Sequence, residues 1–412
     1  MSTGLNIYSD MPPSVAGYYE KRALIRARMK ISAYDLCQKK SLPEGKGSTV
    51  TFWRYAPLSE NTTALTEAVT NALDFGGITF AGRQKLVYQE VPVTPVVYGD
   101  YISVGLLGKL TSIDQGTEEK VDLVTDQGAN SIDYILTKRF AQGCRRMRGD
   151  ANTDYSGSGT TTAAGSATSV VDSGRTAKDA AKPSIGDDYW TGGFITITSG
   201  PAYGQTRQIT AYTNSTGTFT TDTFDVAPGS GATYSVAVGT GIGSTSTINS
   251  KSMRRANRVL GNLMAQHYDN KYFKSLLDPD SHFDFFDDPD FNKASIYKDR
   301  TNNLETNLIG TFAGVSFGEV TRLYRETVAG VESKGAGAVH VIPIYAKEAM
   351  GCVNLGSNPS GKKNFQIYIR NWKQLGQPMP HSDTIAWQGL FEGKMLNSCF
   401  SVGMMCGASD EV

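Results

Sequence analysis

The residues best suited to chemistry crowd into one stretch, "LDPDSHFDFFDDPDF", which holds Asp278, Asp280, Asp284, Asp287, Asp288 and Asp290. Carboxylate oxygens at this density suit a hard cation such as calcium. The spacing does not follow an EF-hand loop, however, and the interspersed prolines and phenylalanines predict an ordered, turn-rich loop. The histidines, His267, His282, His340 and His381, stand far apart and form no HExxH pair. His340, inside "VHVIP", reads as a packed residue. Cys37, Cys144, Cys352, Cys399 and Cys406 include no CxxC, so neither a zinc site nor a disulfide framework is signalled, and reduced structural thiols are expected. No nucleophile elbow, phosphate-cradling glycine loop or dinucleotide fingerprint is present. The expectation is a chain with no catalytic, cofactor-binding or metal residues, no cofactor and no enzymatic activity.

The elements around these residues speak of architecture instead. Beyond an arm interrupted by Pro12 and Pro13, Tyr18 to Lys40 carries a helical pattern in which Lys21, Arg22, Arg26, Arg28 and Lys30 alternate with apolar positions. This basic helix is the better of the candidates for touching DNA. "TVTFWRY" (Thr49–Tyr55) alternates as a strand does, and strand patterning returns from Ile78 to Val104, where Pro92 and Pro95 restrict any sheet to an edge. The two blocks predict an extended hairpin. Glu118 to Met147 predicts one long helix, with Val121, Val124, Ile132, Ile135, Leu136 and Phe140 on one stripe, Gly128 on the same stripe, and Arg145, Arg146 and Arg148 at its end.

The composition then breaks. Residues 151–250 contain no Leu, Met, Cys or Glu, and only 11 of the 100 are charged. Short β runs at Phe194–Thr198, Arg207–Tyr212, Thr218–Thr221 and Tyr234–Val238 are separated by turn sequences. They predict a small antiparallel β module between flexible tethers, "SGSGTTTAAGSATS" and "GTGIGSTSTINS". Helical register resumes at Ser252, with Met253, Ala256, Val259, Leu260, Leu263 and Met264 on one side and Arg254, Arg255 and Arg258 on the other. The two Arg groups flanking the module are expected to be helix-end charges and ion-pair partners. Ser316–Ala329 is expected to be helical, "AVHVIPIY" a strand, "AKEAMGCVNL" a short helix, and "NFQIYIRNW" and "TIAWQGLFEGKMLNSCFSVGMMCG" further strands.

Forty basic side chains balance forty acidic ones, which excludes the global basic field of a dedicated nucleic-acid binder. The N-terminal segment has no apolar core suited to a signal peptide, and no run approaches the ~18 apolar residues of a membrane span, so synthesis and folding in a cytoplasm, without a membrane, are expected.

In order these parts are an arm, a basic helix, a long hairpin, a spine helix, an insertion and a mixed α/β segment closed by strands. That order resembles a tailed-phage major capsid protein of the Hong Kong 97-type fold, most closely the N-four-type podophage family. The residues carrying the resemblance are "KRALIRARMK", "GSTVTFWRYAPLSENTTALTEAV", "QKLVYQEVPVTPVVYGDYISVGLLGKLTSIDQGTEEKVDLVTDQGANSIDYILTKRFAQG", "RRANRVLGNLMAQHYDNKYFKSLLDPDSHFDFFDDPDF", "ETNLIGTFAGVSFGEVTRLYRET" and "HSDTIAWQGLFEGKMLNSCFSVGMM". The resemblance implies an α+β chain of six parts. These are an N-terminal arm and basic helix (1–46), an extended-loop hairpin (47–105), a peripheral domain with the spine helix (106–150), the inserted Ser/Thr/Gly-rich β domain (151–250), an axial domain (251–383), and C-terminal strands returning to the peripheral domain (384–412). It implies hexamers and pentamers of this chain tiling an icosahedral shell around double-stranded DNA without sequence-specific binding. The virion would also hold a portal, with a separate scaffolding protein or prior cleavage during assembly, and a decoration protein is compatible with it. The insertion, which lies outside the resemblance, is expected to be a surface knob. An alternative reading makes the β module a receptor- or glycan-binding device, with Tyr189, Trp190, Tyr203, Tyr212 and Tyr234 stacking on sugars.

Overall fold

The computed structural model describes residues 26, 32–42, 48–58, 60, 86, 88–105, 117–150, 152–175, 179, 186–268, 271–291, 310–333, 337–355, 364–370 and 382–409. The expected arm, most of the basic helix, the tip of the hairpin and His381 lie outside the described residues. Arg26 is helical, and a short helix α1 spans Ala33–Leu36. The helix expected through Lys40 stops there, because Gln38–Lys40 form strand β1 in parallel with a later strand. These polar residues bring no apolar stripe to hold a helix, so strand pairing decides their conformation. Val50–Tyr55 (β2) and Tyr88–Val93 (β3) pair antiparallel from Val50↔Val93 to Tyr55↔Tyr88, which is the base of the expected hairpin. β3 has no second partner among the described residues, as Pro92 requires. Val96–Gly105 (β4) leaves the hairpin for another sheet.

The long helix α2 runs Thr117–Gly143, about 40 Å. Its stripe is buried as expected, with Ile132 and Leu136 fully covered. Gly128 lies on the stripe because the Trp387 ring passes so close that a Cβ there would sit 3.1 Å from it. The expected helical end is corrected: Arg145–Arg148 form strand β5, parallel to the C-terminal strand, so these arginines are not helix-end charges. A buried ion pair holds them in the sheet, with Arg146 donating to Glu326 at 2.8 and 3.1 Å.

Between residues 151 and 250 stands one six-stranded, wholly antiparallel sheet, ordered β6-β11-β8-β9-β10-β7. Its strands are Ser156–Thr160 (β6), Ser169–Val171 (β7), Phe194–Ile197 (β8), Thr206–Thr213 (β9), Thr218–Thr221 (β10) and Thr233–Ala237 (β11). The four expected runs are present, but the expected first tether is not a tether. β6 lies inside it and β7 begins at its last residue, each adding to an edge of the sheet. Gly and Ser suit a linker in isolation; here β11 and β10 supply partners for their backbone groups. The second tether holds no strand and is tied down, with Gly407 donating to the Ser246 carbonyl at 3.0 Å and Arg148 to the Thr240 carbonyl at 2.7 Å.

Helix α3 (Ser250–Asn262) begins with Asn249 accepting from the Ser252 amide, and buries Met253, Ala256 and Leu260. Met264 departs from the expected stripe, since its φ of +56° turns it out to 71% exposure. A mixed sheet of seven strands forms the centre of the molecule. Phe273–Leu277 (β12), Thr311–Phe312 (β13), Val315–Glu319 (β14), Arg325–Glu326 (β15), Val339–Tyr345 (β16) and Ser401–Cys406 (β21) join β5 in it. β14 and β15 replace the helix expected over 316–329, because β12 and β16 offer open edges to them. The expected turn-rich loop is a helix, α4 (Pro279–Asp287), with Pro at its first position. The short helix expected in "AKEAMGCVNL" is instead a buried strand, Met350–Val353 (β17), between β1 and Gly393–Met395 (β20). Phe365–Arg370 (β18), Ser382–Phe391 (β19) and β4 make a last sheet against α2, with Trp387, Ile385 and Phe365 reaching the main core. No helix among the described residues is long and apolar enough to cross a membrane.

Candidate assembly surface

Alternation divides the hairpin base into two chemically different faces. Val50, Phe52, Val91 and Val93 pack with Val353 and Leu396 into a small core of their own. The opposite face carries Trp53, Tyr55 and Tyr88, exposed by 44, 57 and 57%. The Trp53 and Tyr88 rings touch at 5.5 Å between centroids, and Pro92 is exposed on the same face. A two-stranded ribbon with one aromatic face in water is marginal by itself and suited to covering by another surface. The signal was present in "TFWRY", where period two separates Phe52 from Trp53 and Tyr55.

Arg54 breaks the apolar pattern on the inward face, and its contacts explain why. Its Nη1 donates to the Gly204 carbonyl at 2.8 Å and the Leu396 carbonyl at 3.2 Å, and its Nη2 to the Gln89 side chain. Gln89 in turn donates to the Pro201 carbonyl, and the Gln205 amide donates to Gln89 at 3.2 Å. Gly204, with φ +72°, makes the turn that offers its carbonyl. The six-stranded sheet is thereby fastened to the hairpin base. Other contacts fix it further: Gln208 donates to the Ala329 carbonyl, Ser398 to the Gly204 carbonyl at 3.1 Å, and the Arg146 guanidinium lies 4.3 Å from the Phe194 ring.

The aromatic residues that could have stacked on sugars are mostly in the sheet's own core. Trp190, Tyr203, Tyr212 and Tyr234 are at most 3% exposed. Tyr189 is half-buried and packs against that core, 5.9 Å from Tyr155 and nearly parallel to it. Sugar stacking at the four buried rings would require opening the sheet.

Of the six aspartates, Asp278 and Asp280 meet His340. His340 Nδ1 and Asp278 Oδ2 are 2.5 Å apart and fully buried, and Arg325 reaches Asp280 and, at 3.5 Å, Asp278. Burial alone would raise the Asp278 pKa, but His340, Ser281 and Arg325 hold it below the usual carboxylate range. The guanidinium supplies the positive charge here, so the group reads as an ion-pair network joining β15, β16 and α4. Asp284 accepts from Ser409, Asp288 accepts the Ser250 amide, and Asp290 pairs with Arg254 at 3.1 Å in solvent. Arg26, the described residue of the basic helix, clamps Asp122 and Asp126 of α2 at 2.5 and 2.8 Å. All five cysteines are free and buried, and burial pushes Cys144 up to about 12 and Cys399 to about 11, far from thiolate chemistry at neutral pH.

No protein-family model matches the chain, and no curated protein sequence matches it. Solved structures do. The chain superposes on the capsid of Ralstonia phage GP4 with a TM-score of 0.50 and 12% identity, over 92% of this chain and 88% of that one. The capsid of cyanophage P-SCSP1u matches at 0.49 and 7% identity, covering 92% and 89%. The acid-stable capsid of Helicobacter pylori bacteriophage KHP30 matches at 0.49 and 10%, covering 100% and 95%. The resemblance to tailed-phage capsid proteins read from the sequence is thus borne out as a likeness of fold.

Proposed function

We propose that this chain is a major capsid protein, a shell subunit whose copies assemble as hexamers and pentamers into the icosahedral head of a phage. The observation that carries this reading is the fold, shared with the capsid of Ralstonia phage GP4 over 92% of the chain. The aromatic face of the β2–β3 ribbon supports it physically, since a closed shell gives every copy a neighbour to cover that face. In this reading residues 47–105 are the extended loop lying over the next subunit, α2 is the spine of a peripheral domain at 106–150 and 384–412, and residues 251–383 make the axial domain. Its order of parts is read as similar to that of the N-four-type podophage capsid proteins. Assembly takes place in the host bacterial cytoplasm with a scaffolding protein and a portal, and the finished virion encloses double-stranded DNA. Balanced charge suits a container that must not grip its cargo. The six-stranded sheet at 151–250 is assigned to the exterior, and its contacts to Arg54, Ala329 and Ser398 make it a rigid part of the wall.

Negative-stain microscopy of the purified chain, with its scaffolding partner where assembly needs one, tests the proposal. Closed shells of uniform diameter are expected. Persistent small oligomers under all conditions, together with binding to glycans, would refute it.

A further inference from the structure

A cleft of about 360 Å³ lies where the hairpin base, the last turn of α2, the six-stranded sheet and β20 meet. Its walls carry four cations, Arg54, Arg139, Arg207 and Lys394, against two carboxylates, Asp225 and Glu392. The carboxylates are taken: Glu392 accepts from Arg139 at 2.9 Å and Asp225 pairs with Arg207 at 3.1 Å. That leaves Arg54, only 7% exposed, with carbonyl and amide partners on its Nη atoms and no carboxylate in direct contact among the described residues, Asp225 acting on it only at longer range. Its Nε is buried with no hydrogen-bond partner among the described residues. Burial pushes its pKa down to about 10, which marks a guanidinium held in poor solvation. Among the described residues Lys394, exposed on the rim, reaches only the Pro92 carbonyl, at 3.5 Å.

A buried cation with no carboxylate in direct contact, beside an open cavity, suits an anion. Two features narrow its kind. Glu392 and Asp225 already engage Arg139 and Arg207, so one buried cation, Arg54, faces the cavity, and a single negative charge balances it. The volume is about ten times that of one water, which admits a stretch of peptide around the charge. The cleft also runs into the exposed hairpin face, because Pro92 belongs to both. We propose that this cleft is a carboxylate-binding pocket that receives an Asp or Glu side chain from another copy of this chain, with Arg54 and Lys394 as its positive partners. The inference deepens the shell reading and rests on it.

The test uses assembled particles made from a mixture of isotopically light and heavy full-length chains, treated with a carbodiimide that couples lysine amines to carboxylates in contact. Lys394 is expected to appear in mixed light–heavy linked peptides with an Asp or Glu. Lys394→Glu, which leaves every bond of Arg54 intact, is expected to raise the concentration needed for assembly by roughly tenfold or more. Arg54→Gln should do the same, and the melting temperature of the unassembled chain reports whether that variant has kept its fold. Shells that form at the wild-type threshold with Lys394→Glu, and show interchain links elsewhere but none at Lys394, would overturn the pocket while leaving the shell reading intact. Links from Lys394 only to a different protein would overturn it equally. Absence of shells from the unmodified chain would instead defeat the shell reading itself.

Discussion

Arg146 and Glu326 offer the sharpest energetic test, because both side chains are at most 4% exposed and only one of them can shed its charge. Arg146 gives two bonds to the carboxylate at 2.8 and 3.1 Å, one to the Ala141 carbonyl at 2.6 Å, and lies against Phe194. Glu326→Gln leaves a guanidinium that does not deprotonate in the core, a change that costs about 3–5 kcal/mol. Arg146→Met strands Glu326, but a buried carboxyl escapes by taking a proton, and burial already raises its pKa. That variant is therefore expected to lose roughly 2–3 kcal/mol at neutral pH, and less at pH ~5, by ~1.4 kcal/mol for each unit the carboxyl would otherwise be held charged. The double variant Arg146→Met/Glu326→Gln removes both charges and should fall within about 1–2 kcal/mol of wild type. Urea unfolding of the unassembled chain, followed by tryptophan fluorescence at both pH values, measures all four corners of the cycle. A coupling of about 3–7 kcal/mol at neutral pH is expected. Additive losses, or a Glu326→Gln variant milder than Arg146→Met, would refute the reasoning.

Three further outcomes follow from single residues. Ile132→Asp places a charge on the fully buried stripe of α2 and should abolish soluble folded protein, which expression and circular dichroism would reveal. Asp133 accepts the Ser32 and Ala33 amides at 2.9 and 3.1 Å, yet burial raises its pKa from 3.8 to about 6. The folded state therefore binds the extra proton, and this contribution to stability is complete below pH ~4 and lost as pH rises through ~6. Wild type should gain about 3 kcal/mol on Asp133→Asn between pH ~7.5 and ~4; parallel stability curves would contradict this. Trp53→Ser with Tyr88→Ser alters exposed rings only, so melting should stay nearly unchanged while shell formation, read by light scattering, falls sharply.

The parts of the fold legible in sequence are those whose side chains repeat at the period of their own element. The stripe of α2 and the alternation of "TFWRY" announce themselves because each buries one face. The misreadings share a different physics. Gln38–Lys40, Arg145–Arg148, Val315–Glu319 and Met350–Val353 become strands because a distant edge offers partners, at separations no local window contains. Ser156–Thr160 is the plainest case: its Gly/Ser composition states a preference for flexibility, and five backbone pairings with Thr233–Ala237 override it.

The candidate surface divides along the same line. That the hairpin would expose aromatic rings follows from period two alone. That Arg54, on the opposite face, would be buried without an acidic partner does not, since its surroundings are assembled from Gly204, Leu396 and Gln89, residues up to 342 positions away. An arginine at an inward strand position is nonetheless a sequence-level oddity, because a guanidinium keeps its charge and must find partners wherever the fold places it. Here its Nη atoms find them inside the chain while its Nε finds none among the described residues. The same side chain that fastens the six-stranded sheet to the hairpin therefore also leaves a donor beside the cleft.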